Sequence, residues 1–137
     1  MSNIKELKVG DFVEISRTVS EADIVLFGAV SGDLNPAHFN EEYAKNTIFK
    51  GRIAHGMISA GYISAVIGMH LPGPGTIYLS QNLKFLKPVR IGDTITARVE
   101  VVDINIEKNR VGLKTECLNA NEQVVVTGDA LVMPPMI

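Results

Sequence analysis

Several features that mark particular classes of protein are scarce in this chain. Its 137 residues include one cysteine, which excludes an internal disulfide and fits a reducing cytosol. Neither sign of charge dominates, because 13 lysines and arginines stand against 15 aspartates and glutamates and leave a net charge of −2. A sequence without a basic run has no electrostatic footprint for nucleic acid or for an anionic membrane surface, so neither partner is expected.

Long hydrophobic runs are missing as well. The N-terminal segment MSNIKELKVGDF has no apolar stretch of the kind that a secretory signal requires. The longest apolar stretch, residues 57–72, is interrupted by serines and glycines and is too short to cross a bilayer. Neither an internal repeat nor a low-complexity segment divides the chain. We therefore expect a single domain over residues 1–137, a cytoplasmic location and no membrane segment.

The histidines and glycines do not follow the spacings of common metal or phosphate sites. The sequence holds no HxH or HxxxH pair, so a zinc site is not expected. The segments GPG and GRIAHG continue neither as GK[ST] nor as GxGxxG, which excludes the usual phosphate-binding loops. Cys117 lies in an alternating segment without a local nucleophile signature and is interpreted as a packing residue.

The chain does contain a well-marked order of secondary-structure elements. FVEISRTVS predicts a strand near residues 12–19, and Ser20 with Asp23 predicts the capped start of a helix that stops at SGD. GMISAGYISAVIGMHL, residues 56–71, predicts a long helix that is apolar almost all the way round and should be buried. Alternating apolar residues and turn signals then predict four antiparallel strands near residues 76–87, 93–105, 109–119 and 123–133. An α+β fold, with one antiparallel sheet wrapped around the buried helix, hides that helix most economically.

The stretch SGDLNPAHFNEEYA, residues 31–44, concentrates polar and turn-forming residues directly after the first helix. Asp33 and His38 stand on either side of Pro36, and a loop held by this proline can aim both side chains at one target. A carboxylate and an imidazole together suit general acid–base chemistry, and Asn35 is placed to orient either one. The same residues also suit a plain turn, in which Asp33 caps and His38 packs. Turn chemistry alone favours this second interpretation slightly.

A second group of candidate residues, AHGMISAGYIS at residues 54–64, lies at the start of the long helix. The first N–H groups of a helix lack internal partners and lie at the positive end of its dipole. The Gly56 N–H is therefore a candidate donor to a developing oxyanion, and Ser64 is placed to reach a ligand along the helix. Alternatively, Gly56 only permits tight packing and Ser64 bonds back to a carbonyl one turn earlier. Ser59 is interpreted as a packing residue, and His55 fits an N-cap, a packing residue or a site residue equally well.

The segment FGAVSGDLNPAHFNEEYA, residues 27–44, resembles the signature of the (R)-specific enoyl-CoA hydratases, the hydratase-2 or MaoC-like group of hot-dog proteins. The positions in register with that signature are Phe27, Ser31, Gly32, Asp33, Asn35, Pro36, His38 and Ala44. Ala37 departs from the pattern, which usually has Leu, Ile or Val before the histidine, and this removes side-chain volume beside the site. GRIAHGM and LPGPGTIYLSQNLKFLKPVRIGDTI resemble the corresponding segments of short stand-alone bacterial members, so the resemblance covers nearly the whole chain.

The resemblance implies a hot-dog fold and the reversible syn hydration of trans-2-enoyl-CoA to (R)-3-hydroxyacyl-CoA. Carried over to matching positions, Asp33 and His38 are the catalytic pair that holds the water, and the Gly56 N–H binds the thioester oxygen. Asn35 and Ser64 are implied to orient that pair. No cofactor is implied, because the CoA thioester itself acidifies C2. The family also implies a homodimer, possibly a higher homo-oligomer, with active sites at or near the subunit interface.

Other interpretations stay open at this point. The hot-dog fold also hosts acyl-CoA thioesterases, although these do not generally carry the Asp-x-Asn-Pro-x-His arrangement. A non-catalytic acyl-CoA-binding subunit would be free to lose the acid and the imidazole, and both are present. The pathway is also open between polyhydroxyalkanoate supply, β-oxidation and fermentation. Candidate contacts for the CoA phosphates, which a solvated sheet edge explains equally well, are Arg52, Lys84, Lys87 and Arg90.

Overall fold

A computed structural model describes residues 2–136. A short 3-10 helix precedes the first strand, and four α-helices and five strands follow. In chain order the elements are the 3-10 helix (Ile4–Glu6), β1 (Phe12–Thr18), α1 (Glu21–Ser31), α2 (Pro36–Phe39), α3 (Glu41–Ala44), α4 (Gly56–Met69), β2 (Ile77–Phe85), β3 (Thr94–Asn105), β4 (Arg110–Leu118) and β5 (Val124–Met133). The sequence patterns predict the five strands, α1 and α4, but they predict neither the 3-10 helix nor α2.

The five strands form one antiparallel sheet in the order β1-β3-β4-β5-β2. Alternate residues of each strand face the same side of a sheet, so the period of two in the sequence selects the face that packs on the core. In β3 that face is made by Ile95, Ala97, Val99 and Val101, all fully buried. The alternation ends after Val101, where the pairing of β3 with β4 shifts register.

Helix α4 packs mainly against β3, with further contacts to β1 and β4. Its buried side is made of Ile58, Ser59, Ile63, Val66 and Ile67. Burying one aliphatic side chain of this size stabilises the fold by about 1.5–3 kcal/mol. The prediction that α4 has no solvent face is wrong, because Met57 and Met69 are 53% and 65% exposed and Ser64 is exposed between them. The sheet and α1 pack against α4, and the residues of its remaining side, which include Met57, Gly61 and Ser64, are exposed within residues 2–136.

Helix α1 begins and ends at the predicted residues. The Ser20 hydroxyl accepts a hydrogen bond from the Asp23 N–H, and the Asp23 carboxylate accepts one from the Ser20 N–H at 2.8 Å, which is the predicted capping box. The helix stops because Gly32 adopts a φ of 79°, a left-handed conformation that glycine tolerates without strain. This turn ends α1 and starts the segment that carries Asp33 and His38. Within residues 2–136, every helix falls short of the length and apolarity that a membrane span requires.

Candidate active site

The segment after α1 forms a one-turn helix, α2, that carries His38. The Asn35 side-chain oxygen accepts a hydrogen bond from the Ala37 N–H at 3.0 Å, and Pro36 occupies the first helical position. Asparagine at an N-cap followed by proline is a favourable helix start, so the Asn-Pro pair produces a helix here and not an open loop. The main-chain N–H of Asn35 also donates to the Asp33 carboxylate at 3.3 Å. Asn35 therefore contacts Asp33 through its backbone while its side chain caps α2.

Two hydrogen bonds position His38, one on its imidazole and one on its main-chain oxygen. Its Nδ1 lies 2.8 Å from the main-chain oxygen of Ile53. A carbonyl oxygen only accepts, so Nδ1 carries the hydrogen and Nε2 of the neutral ring keeps a lone pair. The Arg52 Nε donates to the main-chain oxygen of His38 at 2.7 Å, and its guanidinium also pairs with Glu21 at 2.9 Å. The ring therefore offers a basic nitrogen, and α2 is tied to the start of α1.

Asp33, His38 and His55 come together from different parts of the chain. One carboxylate oxygen and one nitrogen from each ring all lie within 4.8 Å of one another. One water can bridge two acceptors at that spacing with ordinary hydrogen bonds of about 2.8 Å to each. The two imidazoles are stacked, with ring centroids 4.0 Å apart and planes at 33°, and each ring already uses one nitrogen on a carbonyl. The three groups are therefore close enough to contact one small ligand such as a water molecule.

A cavity of about 370 Å³ opens beside this cluster. Its wall is mostly apolar and includes Phe49, Ile53, Met57, Leu86, Pro88, Val89 and Val126. His38 and Gly56 both line it. The Gly56 N–H is the first of α4 and has no acceptor among residues 2–136, so it is available to a ligand oxygen. Asp33 is exposed and adds no side chain to this wall.

The packing role that the sequence allows for Gly56 is also present. A Cβ at this position would lie 2.7 and 2.8 Å from two ring carbons of Phe85. Such distances are too short for carbon atoms, so glycine lets the Phe85 ring lie directly against the start of α4. Close packing and an unpaired N–H therefore occur at the same residue, and neither excludes the other.

The two serines of α4 lie in different surroundings. Ser64 is exposed and lines a neighbouring groove with Tyr78 and Gln81, apart from the cavity wall that contains His38. Ser59, interpreted as a packing residue, is buried and lines the cavity itself. Its spacing of three residues from Gly56, which places both on one helix face, is the signal that identifies it. The side chain of Ala37 is half-buried and takes no part in the cavity wall.

The four basic candidates for CoA phosphate contacts separate into two pairs. Arg52 is engaged with Glu21 and His38, and Arg90 donates to the main-chain oxygens of Phe49 and Arg52. Both guanidinium groups therefore hold the chain around α2 and the segment before α4. The remaining two residues are exposed lysines, Lys84 and Lys87, and the second of them lines the cavity.

Cys117 is confirmed as a packing residue. It is fully buried, and its Sγ lies 3.6 Å from the main-chain oxygen of Ser59. Burial, and to a lesser extent the charge of Glu116, raises the pKa of this thiol to about 12. A thiol with such a pKa stays protonated at neutral pH and is a poor nucleophile.

Comparison with known proteins leads to the same family as the sequence signature. The model of the MaoC like domain matches residues 8–124. An (R)-specific enoyl-CoA hydratase of Rhodospirillum rubrum is 54% identical over 131 residues, which cover 96% of this chain and 90% of that protein. The solved R-hydratase PhaJ1 from Pseudomonas aeruginosa is 48% identical with a TM-score of 0.90, over 97% of this chain and 86% of that one. The (R)-hydratase from Aeromonas caviae involved in PHA biosynthesis is 38% identical with a TM-score of 0.92, over 96% and 99% of the two chains. The protein belongs to the MaoC-like domain family, and its α+β fold is the hot-dog fold of these R-hydratases.

Proposed function

We propose that this protein is an (R)-specific enoyl-CoA hydratase, which adds water reversibly to trans-2-enoyl-CoA and forms (R)-3-hydroxyacyl-CoA. The observation that carries this proposal is the approach of Asp33 and His38, within 4.8 Å, beside a cavity that presents the unpaired Gly56 N–H. The activities in the names of its relatives support the same reaction. A non-catalytic binding subunit has no use for a carboxylate and an oriented imidazole on one water. A thioesterase could use such a water, and the activities in the names of the relatives favour hydration over thioester hydrolysis.

In the proposed reaction Asp33 and His38 hold the attacking water between them. The His38 Nε2 lone pair and the Asp33 carboxylate each accept a hydrogen bond from it, and its oxygen adds to C3 of the enoyl group. His38 polarises the water and Asp33 is the main proton shuttle. Asp33 takes one proton from the water as the oxygen adds to C3 and then delivers that proton to C2 from the same side of the double bond, which regenerates its carboxylate. Because both groups lie on one side of the substrate, the addition is syn.

The Gly56 N–H stabilises the negative charge that forms when electrons leave the double bond. As the C3–O bond forms, the π electrons move toward the thioester and place negative charge on its oxygen. A helix N-terminal N–H aimed at that oxygen stabilises the charge where it develops, and one such donor is typically worth about 3–4 kcal/mol of barrier. The enolate then collapses by taking its proton at C2. The reaction needs no cofactor, because the thioester supplies the electron sink.

Asn35 and Ser64 complete the proposed site in different ways. Asn35 orients Asp33 through its main-chain N–H and starts the helix that carries His38. Ser64 lies in the neighbouring groove, so we assign it a contact with ligand that extends beyond the cavity.

The two lysines at positions 84 and 87 are the proposed CoA phosphate contacts. A cytoplasmic location fits a CoA thioester substrate and the free thiol of Cys117, and the (R) product is of the class that polyhydroxyalkanoate synthesis consumes.

One assay separates the proposed function from its alternatives. Crotonyl-CoA is mixed with the protein, and the enoyl-thioester absorbance and free thiol are followed together. Hydration lowers the absorbance without releasing thiol, thioester hydrolysis releases thiol, and a binding subunit does neither. Oxidation of the product by an (R)-specific dehydrogenase, and not by an (S)-specific one, establishes the stereochemistry. Release of thiol at the rate of absorbance loss would replace the hydratase by a thioesterase.

We also propose that the protein acts as a homodimer formed through β2 and α4. Strand β2 is an edge strand, and within residues 2–136 no strand pairs with its outer side. It exposes Ile77, Tyr78, Leu79 and Phe85, beside the exposed Met57 of α4. A long apolar edge strand is a template for pairing with another chain, and a second copy would cover the uncovered side of α4 as well.

The oligomeric state tests this second proposal. Leu79→Lys places a charge on the edge strand near its start, where Leu79 is 42% exposed. Light scattering should give twice the chain mass for the unaltered protein and a shift toward the single mass for this variant. Val102→Lys, a similar change at a 46% exposed residue of the interior strand β3, is the matched control and should leave the mass unchanged. If the unaltered protein has the mass of one chain at micromolar concentration, the dimer is contradicted.

A further inference from the structure

His55 has contacts that a simple packing residue does not need. It is 2% exposed and occupies the N-cap position of α4, but its side chain makes no capping bond. Instead its Nε2 lies 2.8 Å from the main-chain oxygen of Asp33, 22 residues earlier in the chain. Because that oxygen only accepts, Nε2 is the donor. The side chain therefore connects the residue before Gly56 directly to the residue that carries the proposed proton shuttle.

The ring of His55 also supports the other member of the pair. The His38 imidazole stacks on it at a centroid distance of 4.0 Å. Phe27 of α1 packs against it at 4.7 Å, and Phe39 of α2 meets it edge-on at 5.6 Å. One imidazole is thus in contact with α1, with α2 and with the Asp33 segment, and its own backbone continues into the first N–H of α4.

Burial of His55 is not explained by packing alone. Its Nδ1 is buried and has no hydrogen-bond partner among residues 2–136. A buried polar atom without a partner destabilises a fold, and a phenylalanine would fill the same aromatic cluster without that cost. Packing alone therefore does not account for a histidine at this position. What it adds over phenylalanine is the N–H that reaches Asp33.

We propose that His55 is a positioning residue, which fixes Asp33 and His38 relative to the Gly56 N–H. The inference rests on the proposed hydratase function and adds a residue to its machinery. Water attack at C3 and charge at the thioester oxygen belong to one transition state, so the water-holding pair and the oxyanion donor must keep a constant separation. The Nε2–H bond and the ring stack set that separation. Misplacement of a reacting group by about 1 Å costs about 100-fold in rate.

The test compares two substitutions that separate the donor from the ring. His55→Phe keeps an aromatic ring and loses the N–H, whereas His55→Gln keeps an N–H at the Nε2 position and loses the ring. We expect His55→Phe to melt close to the unaltered protein, because loss of the Nε2–H bond is offset by removal of the unpaired Nδ1. Its kcat for crotonyl-CoA should fall about 10- to 100-fold, with KM changed much less. His55→Gln should melt lower than His55→Phe and yet have the higher kcat. A role in stability alone predicts that kcat and melting temperature rank the variants in the same order.

The controls make each outcome decisive. Val111→Ala truncates a buried residue of β4 six positions, or about 20 Å, along the strand from Cys117 and should lower the melting temperature without lowering kcat. If His55→Phe does not fold, His55→Leu replaces it as the variant without a donor. Equal kcat for the donor and non-donor variants, or a His55→Phe enzyme with normal kcat, overturns the inference while the hydratase function stands. An unaltered protein without hydratase activity overturns the function, and the inference with it.

Discussion

Removal of a single backbone hydrogen at Gly56 is the sharpest available test of the proposed oxyanion donor. Proline has no N–H, and it is well tolerated at the first position of a helix, which Gly56 occupies. The residue before a proline must be extended, and His55 already has φ −59° and ψ 131°. Gly56→Pro therefore deletes the donor with little expected change in the backbone.

The structure also identifies the control that this substitution needs. Both alanine and proline add a Cβ that would lie 2.7 and 2.8 Å from the ring of Phe85. Phe85 is 51% exposed, so its ring can turn outward, at a cost of about 1 kcal/mol that both variants share. Gly56→Ala keeps the N–H. The ratio of the two rates therefore isolates the hydrogen bond, and we expect Gly56→Pro to be about 100- to 1,000-fold slower than Gly56→Ala.

The assay is kcat for crotonyl-CoA hydration, together with the affinity of each variant for butyryl-CoA, which cannot be hydrated. The proline ring extends toward the space that the thioester oxygen would occupy, and a simple steric block would weaken butyryl-CoA binding as much as it slows the reaction. Loss of a transition-state donor instead lowers kcat more than it weakens binding. Equal rates for the two variants, or a rate loss fully matched by the loss of affinity, would refute the assignment of the Gly56 N–H.

Three further predictions follow from single contacts. His38→Asn keeps a donor at the Nδ1 position but has no basic nitrogen, so the hydration rate should fall about 100-fold or more with little loss of thermal stability. His38→Ala should slow hydration and also lower the free energy of unfolding by about 1 kcal/mol. Near-normal turnover in either variant contradicts the catalytic role of His38. The pKa of the Cys117 thiol is about 9 in the unfolded chain and about 12 in the folded protein, so the unfolded state holds fewer protons between these two pH values. Its contribution to the free energy of unfolding is therefore complete below pH 9 and should be lost toward pH 12, by up to about 1.4 kcal/mol per pH unit relative to Cys117→Val in denaturant titrations; parallel pH profiles would contradict this. Gly128→Ala places a Cβ 1.8 Å from the main-chain oxygen of Asn82 and should lower the free energy of unfolding by about 1–3 kcal/mol or more, whereas Gly68→Ala meets no atom within 4 Å and should not; equal melting temperatures would contradict the close approach.

Local patterns in the sequence predict most of the fold because the interactions concerned are local. The capping box at Ser20 joins residues three positions apart, and the helix stop at Gly32 depends on one backbone conformation. The buried face of β3 follows from a side-chain period of two. Helix α2 cannot be predicted in this way, because four residues are too few to show a helical period. Its start, an Asn35 cap before Pro36, looks the same in sequence as a turn.

Some residues of the candidate site can be predicted from the sequence, and others depend on tertiary contacts. The sequence indicates Asp33 and His38 through the resemblance of residues 27–44 to the hydratase signature, because turn chemistry alone slightly favours a plain turn. The Gly56 N–H follows from local helix-start chemistry. The sequence leaves the role of His55 open among three alternatives, since its partners lie 16–28 residues away and only the tertiary structure brings them onto one ring. The same holds for the serines of α4. Which helix face meets the cavity depends on how the sheet and Phe85 pack against the helix, and that packing places Ser59 in the wall and Ser64 outside it.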